Sequence, residues 1–212
     1  MKSSLIILSV CYVLTSMAQI PEGSKSKFPE IGKHCPDFIL NNIDHFSRKS
    51  ASLRDFQGKW LILDLWIKNC FGCIASFPGT DSLQKRFKDK VQFMLVGITS
   101  LKNLRTTRAV YERSRSLYHL DLPVTYDSTL AARFRAPSYP HIIWIDDNGI
   151  VRAITGSVHE KSLEKFLAGG NPDTGTKPND DEVMNNPNRF DPRKPFLIHG
   201  NGGNDTDFYI RS

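Results

Sequence analysis

The chain has 212 residues, with 28 Lys and Arg against 22 Asp and Glu, a formal charge of +6 at pH 7, and 40% hydrophobic residues. That is room for one domain of ordinary size with appendages, and enough apolar side chains for a core. The basic residues are scattered and no nucleic-acid-binding motif accompanies them, so the mild positive charge reads as a solvated surface and excludes a nucleic-acid partner.

In chain order, Met1-Lys2-Ser3-Ser4 precedes an apolar stretch from Leu5 to Val13, and Ser16-Met17-Ala18 places small residues at the two cleavage-determining positions. This layout predicts a secretory signal peptide over residues 1–18, with an apolar part too short for a transmembrane helix. Acylation at Cys11 is disfavoured, because Val10 is bulky where a small residue is wanted and Cys11 lies inside the apolar run. The mature protein is therefore expected to be soluble and exported. Residues 19–29 form a polar lead-in. Pro36 to Leu40 reads as a first short strand, Ser52 to Phe56 as a helical turn, and Gly58-Lys59 as the break before a strand from Trp60 to Trp66. Residues 70–88 read as a helix with Ile74, Phe77, Leu83 and Phe87 on one face, kinked by Pro78.

Val91 to Ile98 is an apolar strand and Leu101 to Leu117 an amphipathic, charged helix. Leu122 to Tyr126 makes a short strand, and Thr129 to Phe134 a short helix. His141 to Ile145 and Ile150 to Thr155 flank Asp146-Asp147-Asn148-Gly149, whose Asn-Gly step predicts a hairpin. A last helix, Val158 to Leu167, stops at Gly169-Gly170. Strands that alternate with helices until a closing hairpin predict an α/β domain over residues 30–170: a central mixed sheet with helices on both faces. Residues 171–212 are a polar tail that opens with an Asn-, Asp- and Pro-rich, linker-like stretch and holds one apolar patch, Pro195 to Ile198. The chain has no internal repeats.

Loss of Cys11 with the signal leaves Cys35, Cys70 and Cys73. An odd count with one tight pair is not a disulfide framework. The apolar run Trp60 to Trp66 feeds Cys70-Phe71-Gly72-Cys73 at a helix start, and Ala136-Pro137-Ser138-Tyr139-Pro140 leads into a later strand. A thioredoxin-like fold builds a redox dithiol in this way. Disulfide exchange needs a thiolate to attack one sulfur and a second thiol to resolve the mixed disulfide. The first cysteine sits by the orphan N–H groups and positive end of the helix, which lowers its pKa. Cys70 is thus the expected nucleophile and Cys73 the more buried resolving thiol.

The chain resembles the TlpA/ResA-type branch of the thioredoxin superfamily, the exported bacterial thiol-disulfide oxidoreductases, over about residues 30–168. The resemblance is carried by Pro36-Asp37-Phe38, Gly58-Lys59, Trp66, Cys70-Phe71-Gly72-Cys73, Pro78 and Tyr139-Pro140. It departs from that branch at Asn69, where a bulky residue is usual, and in its Phe-Gly dipeptide, which leaves potential and partner preference open. The resemblance implies a three-layer thioredoxin-like fold and a periplasmic or envelope location. It also implies reduction of protein disulfides and electrons from a membrane-bound dithiol carrier. No cofactor is expected, and with no second C-x-x-C or H-x-H pair to complete a zinc site, no metal either.

Asp64 stands in a run otherwise apolar on both faces, and thioredoxins carry a buried aspartate at the matching position. Buried, it would hold a raised pKa and accept the proton of Cys73; at a sheet edge it would merely touch solvent. The resemblance makes Pro140 the cis-proline facing the dithiol, leaving the backbone of Tyr139 free for an extended substrate. Tyr139 and Phe71 are expected to line the substrate groove, whereas Trp66 reads as core. Cys35 is expected to be a small apolar filler. Two other functions fit the fold. A peroxiredoxin-like peroxidase wants a threonine three residues before its cysteine, where this chain has Ile67. A non-enzymatic metal- or partner-binding module would draw on His141 beside Pro140.

Overall fold

The computed structural model describes residues 27–171. The expected signal peptide (1–18), most of the lead-in and all but the first residue of the tail lie outside the described residues. The elements are β1 (Ile39–Asn41), β2 (Ser50–Ser52), a 3₁₀ turn (Leu53–Phe56), β3 (Trp60–Trp66), α1 (Phe71–Arg86), β4 (Val91–Ile98), a 3₁₀ turn (Leu101–Asn103) running into α2 (Leu104–Tyr118), β5 (Val124–Asp127), α3 (Leu130–Arg133), β6 (His141–Ile145), β7 (Val151–Thr155) and α4 (Glu160–Leu167).

Strands β3, β4 and β6 fall on the residues expected from their apolar runs. The first strand is displaced to Ile39–Asn41, because its partner is β2, with Leu40 opposite Ala51. The sequence predicts no strand at Ser50-Ala51-Ser52. The segment has neither β-branched bulk nor alternation, and only burial of Ala51 in the core gives it a strand's place.

Five strands form the central sheet in the order β5-β4-β3-β6-β7. Pairing is parallel for β3–β4 and β4–β5, and antiparallel for β3–β6 and β6–β7. The crossovers through α1 and α2 step the same way along the sheet, so right-handed connection puts both helices on one face. There α1, α2 and α4 contribute Cys73, Phe77, Tyr111, Leu163 and Phe166 to a cluster with Ile62, Trp66 and Trp144 of the sheet. The other face, with Leu61, Leu63, Leu65, Met94 and Val96, is covered by Leu40 and Ala51 of β1–β2, Phe56 and Leu130 of α3. The expected helices on both faces are therefore unevenly divided: among the described residues α3 is the one α-helix on that side.

Both edges of the sheet are covered. Residues 32–35 run along β7: Gly32 N–H donates to the Val151 carbonyl at 2.8 Å, and Cys35 N–H to that of Gly149 at 2.9 Å. At the other edge Asp44 and Val124 exchange backbone hydrogen bonds of 2.8 and 3.1 Å, and the Arg108 guanidinium pairs with the Asp44 carboxylate. These bonds satisfy the backbone of the first residue of each edge strand, Val151 and Val124. The turn between β6 and β7 closes as its Asn-Gly step predicts. Asp146 Oδ1 accepts N–H bonds from Asn148 (3.0 Å) and Ile150 (2.9 Å), while Gly149 takes φ 81°. Helix α4 ends in a Schellman pair: Gly169 N–H reaches the Phe166 carbonyl and Gly170 N–H that of Lys165, both at 2.9 Å.

Gly97 of β4 lies beside Trp66 in register, and a Cβ there would stand 2.7 Å from Cδ1 of Tyr126 and 3.2 Å from Cζ2 of Trp66. Trp66 is fully buried and the Arg108 guanidinium lies 4.9 Å from the Tyr126 ring centroid, so neither ring is placed to yield freely. Gly97→Ala is expected to cost about 1–3 kcal/mol in urea unfolding through overpacking.

Candidate active site

The alternation of β3 sends Ile62, Asp64 and Trp66 to the helix-covered face and Leu61, Leu63 and Leu65 to the other. Asp64 is 1% exposed, and its register neighbours are Leu95 of β4 and Ile142 of β6. Since β3 is the middle strand, the sheet-edge placement of Asp64 is overturned. Trp66 is core, edge-on to Phe77 with ring centroids 5.3 Å apart.

After Trp66 the chain turns, with Cys70 N–H bonded to the Ile67 carbonyl at 3.0 Å, and Cys70 becomes the N-cap of α1. Its Sγ accepts the backbone N–H of Cys73 at 3.2 Å, the donor a thiolate would use at the positive end of a 16-residue helix. Cys70 and Cys73 are joined in a disulfide, Cα to Cα 5.3 Å, so the site is seen oxidised. Cys73 is fully buried on the face that holds Asp64, whereas Cys70 is only half-buried. The two sulfurs thus face different surroundings.

Phe71, between them, is 86% exposed. The Tyr139–Pro140 peptide is cis and immediately precedes β6. Because His141 pairs with Leu65, Pro140 arrives alongside the end of β3, from which the dithiol loop departs. Tyr139 packs against both core clusters, and partial burial pushes its hydroxyl pKa up. His141 is buried opposite Leu65, hence on the sheet face away from Asp64.

On the other flank of β3 lies a cleft of about 340 Å³, which sequence reading did not find. It opens between the loop before Cys70 and the loops after β4 and β5, and is lined by Lys68, Asn69, Ser100, Asn103 and Ser128 over Ile67 and Ile98. Those loops are scattered in sequence, and no motif marks them. Lys68 is directed to α2, its Nζ 3.3 Å from both Asn103 Oδ1 and Thr106 Oγ1.

Cys35 is a free thiol in the cluster on the opposite face from Cys73. Burial, helped by the charge of Asp37, pushes its pKa up to about 12. It packs as an apolar side chain.

The profile of the AhpC/TSA family matches residues 31–154. The chain is 30% identical to thioredoxin-like protein YneN of Bacillus subtilis over 139 residues, 64% of this chain and 78% of that protein. It is 29% identical to the thiol-disulfide oxidoreductase ResA of Bacillus cereus over 147 residues, covering 68% and 80%. The crystal structure of a thiol:disulfide interchange protein DsbE from Chlorobium tepidum superposes with a TM-score of 0.53 at 20% identity, over 66% of this chain and 97% of that one, and shares its fold.

The buried thiol yields a pH dependence. Below about pH 9 both folded and unfolded chains keep the Cys35 proton; between about 9 and 12 the unfolded chain has released it and the folded one has not. The folded state then binds more protons, so stability falls with rising pH, by at most about 1.4 kcal/mol per unit for this group. Burial also pushes the phenols of Tyr111 and Tyr126 up, which acts in the same direction at higher pH. Urea unfolding of the oxidised protein from pH 8 to 11 is expected to show this decline, and Cys35→Ala a shallower one.

Proposed function

The chain belongs to the AhpC/TSA family, and we propose that it is an exported reductase of protein disulfides working through the Cys70–Cys73 pair. It is a thiol-disulfide oxidoreductase of thioredoxin-like fold. One observation carries the finer proposal: a disulfide at the head of α1 with Cys70 reachable from solvent and Cys73 sealed on the face of Asp64.

In the proposed cycle the Cys70 thiolate of the reduced protein attacks a substrate disulfide. A mixed disulfide forms and the first substrate sulfur leaves as a thiolate. Cys73 then gives its proton to Asp64 and attacks the Cys70 sulfur. The Cys70–Cys73 disulfide closes and the second substrate thiol departs. The substrate gains two electrons from the protein; one of its two protons comes from Cys73 by way of Asp64, and the first-released thiolate takes the other from water. A membrane-bound dithiol carrier is proposed to restore the dithiol. Tyr139, Pro140 and Phe71 are proposed to hold the substrate segment: Phe71 offers an uncovered apolar ring beside the nucleophile, and Tyr139 a backbone at the start of β6 for extended pairing. Export is supported by the leader-like residues 1–18.

The reducing direction is the one implied by the resemblance to the TlpA/ResA-type branch. In the oxidised form Cys70 Sγ accepts one backbone N–H, that of Cys73. A dithiol becomes a strong oxidant when its reduced form is strongly stabilised. The potential of the couple is therefore expected near that of thioredoxin, about −270 mV, with turnover of insulin disulfides; a value near about −120 mV would make the protein an oxidant instead.

The role of Asp64 is tested separately. Asp64→Asn is expected to slow resolution of a mixed disulfide on Cys70 by about tenfold or more at neutral pH, since a positioned general base contributes at least that much. The deficit should shrink towards pH 9 as Cys73 ionises unaided, and the variant should melt at a higher temperature because a carboxylate no longer has to be buried. A resolution rate equal to that of the parent from pH 6 to 9 would remove Asp64 from the mechanism.

A further inference from the structure

We propose that the cleft on the β4 side of the dithiol is a substrate subsite, in which Lys68 selects an acidic side chain close to the substrate's cysteine. This rests on the disulfide-reductase function proposed above. The topology places the cleft where a bound polypeptide must pass. Cys70 follows the central strand; Tyr139–Pro140 flanks it on the β6 side, and the loops after β4 and β5 flank it on the other. A segment laid across the end of the sheet, paired at Tyr139 and joined to Cys70, continues into the space between Asn69, Ser100 and Asn103. At about 340 Å³ the cleft has room for a side chain with its backbone and is on the scale of small-ligand pockets. Leu101, 88% exposed, follows Ser100 at its margin, as Phe71 follows Cys70, so the path has an uncovered apolar side chain on each flank of its entrance.

The charge of the cleft is one-signed. None of its lining residues is acidic, and Lys68 is its one ionisable group. Among the described residues Lys68 has no carboxylate partner; its two hydrogen bonds, of 3.3 Å each, go to a neutral amide and a hydroxyl. The carboxylate next to the rim, Asp127, is already engaged, accepting N–H bonds from Thr129 and Leu130. Lys68 therefore keeps its charge available for an incoming anion, and exchanging two long neutral contacts for a carboxylate is favourable. A lysine is a point charge on a flexible stem, so it reads the sign of the side chain rather than its shape.

The test uses the reduced protein and three synthetic peptide disulfides that are identical but for Glu, Gln or Lys two positions from the cysteine. Rates of mixed-disulfide formation are measured by stopped flow at low and high salt. The Glu peptide is expected to react about fivefold faster than the Lys peptide at low salt, the advantage an exposed ion pair confers, and to lose most of that lead in 1 M salt. Lys68→Gln should bring the Glu-to-Lys rate ratio close to one and Lys68→Glu should invert it. Lys102→Gln, a charge change on the same flank outside the lining of the cleft, should leave the ratio in place. Equal rates for the three peptides, or a Glu preference that survives Lys68→Glu, would overturn the subsite while leaving the reductase function standing. If the reduced protein opened none of the peptides, nor the disulfide of insulin, the reductase function itself would fall and the subsite with it.

Discussion

The structure depends on one strand buried on both faces. β3 is clamped between β4 and β6, and each residue from Leu61 to Trp66 is buried, alternating between two separate clusters. A strand held from four directions has little freedom in register or twist, because a slip of one residue would send Leu61, Leu63 and Leu65 to the helix face and Asp64 to the other. The dithiol loop leaves directly from this strand, so the placing of Cys70 is set by core packing rather than by the loop. Beyond Trp66 only the turn to Ile67 and the cap of α1 separate the rigid core from the Cys70 sulfur, the proposed nucleophile.

The same strand carries a buried acidic residue. Asp64 lies between Leu95 and Ile142 in register and is closed to solvent. Burial of a carboxylate opposes folding by several kcal/mol where an aliphatic side chain would favour it. Its neighbours show what the position takes for stability alone. That a carboxylate stands on the face where Cys73 is sealed fits the proton-transfer role proposed for it, in which stability would be given up for activity. Cys35 forms the contrast: also buried, but among apolar side chains on the far face, its thiol is pushed away from reactivity and simply packs.

The mixed character of the sheet explains why two unlike flanks meet at the dithiol. Parallel β3, β4 and β5 bring their carboxyl ends to one edge of the sheet, and with them the loops that form the cleft. Antiparallel β6 brings its amino end to the same edge, and with it Tyr139–Pro140. An all-parallel sheet would have carried the proline to the opposite end. The right-handed crossovers of α1 and α2 then stack both helices on the face of Asp64 and Cys73 and leave the other face to β1, β2 and α3.

Much of this was legible in the residues. The apolar runs at Trp60–Trp66, Val91–Ile98 and His141–Ile145 determined the three inner strands, since a strand buried on both faces must be apolar throughout. The spacing of Cys70 and Cys73 determined the disulfide, and the charge of Asp64 within its run marked it at once. These are local signals, carried by residues adjacent in the chain. Strand β2 was invisible because Ser-Ala-Ser has no pattern of its own and is a strand only where Leu40 lies opposite Ala51. The division of the two faces was likewise hidden, because it follows from the order in which strands pair. The cleft beside the dithiol was beyond sequence reading, because its walls come from residues 67–69, 98–107 and 128. Only the packing of β3, β4 and β5 makes those segments neighbours, and no spacing along the chain encodes a void between loops.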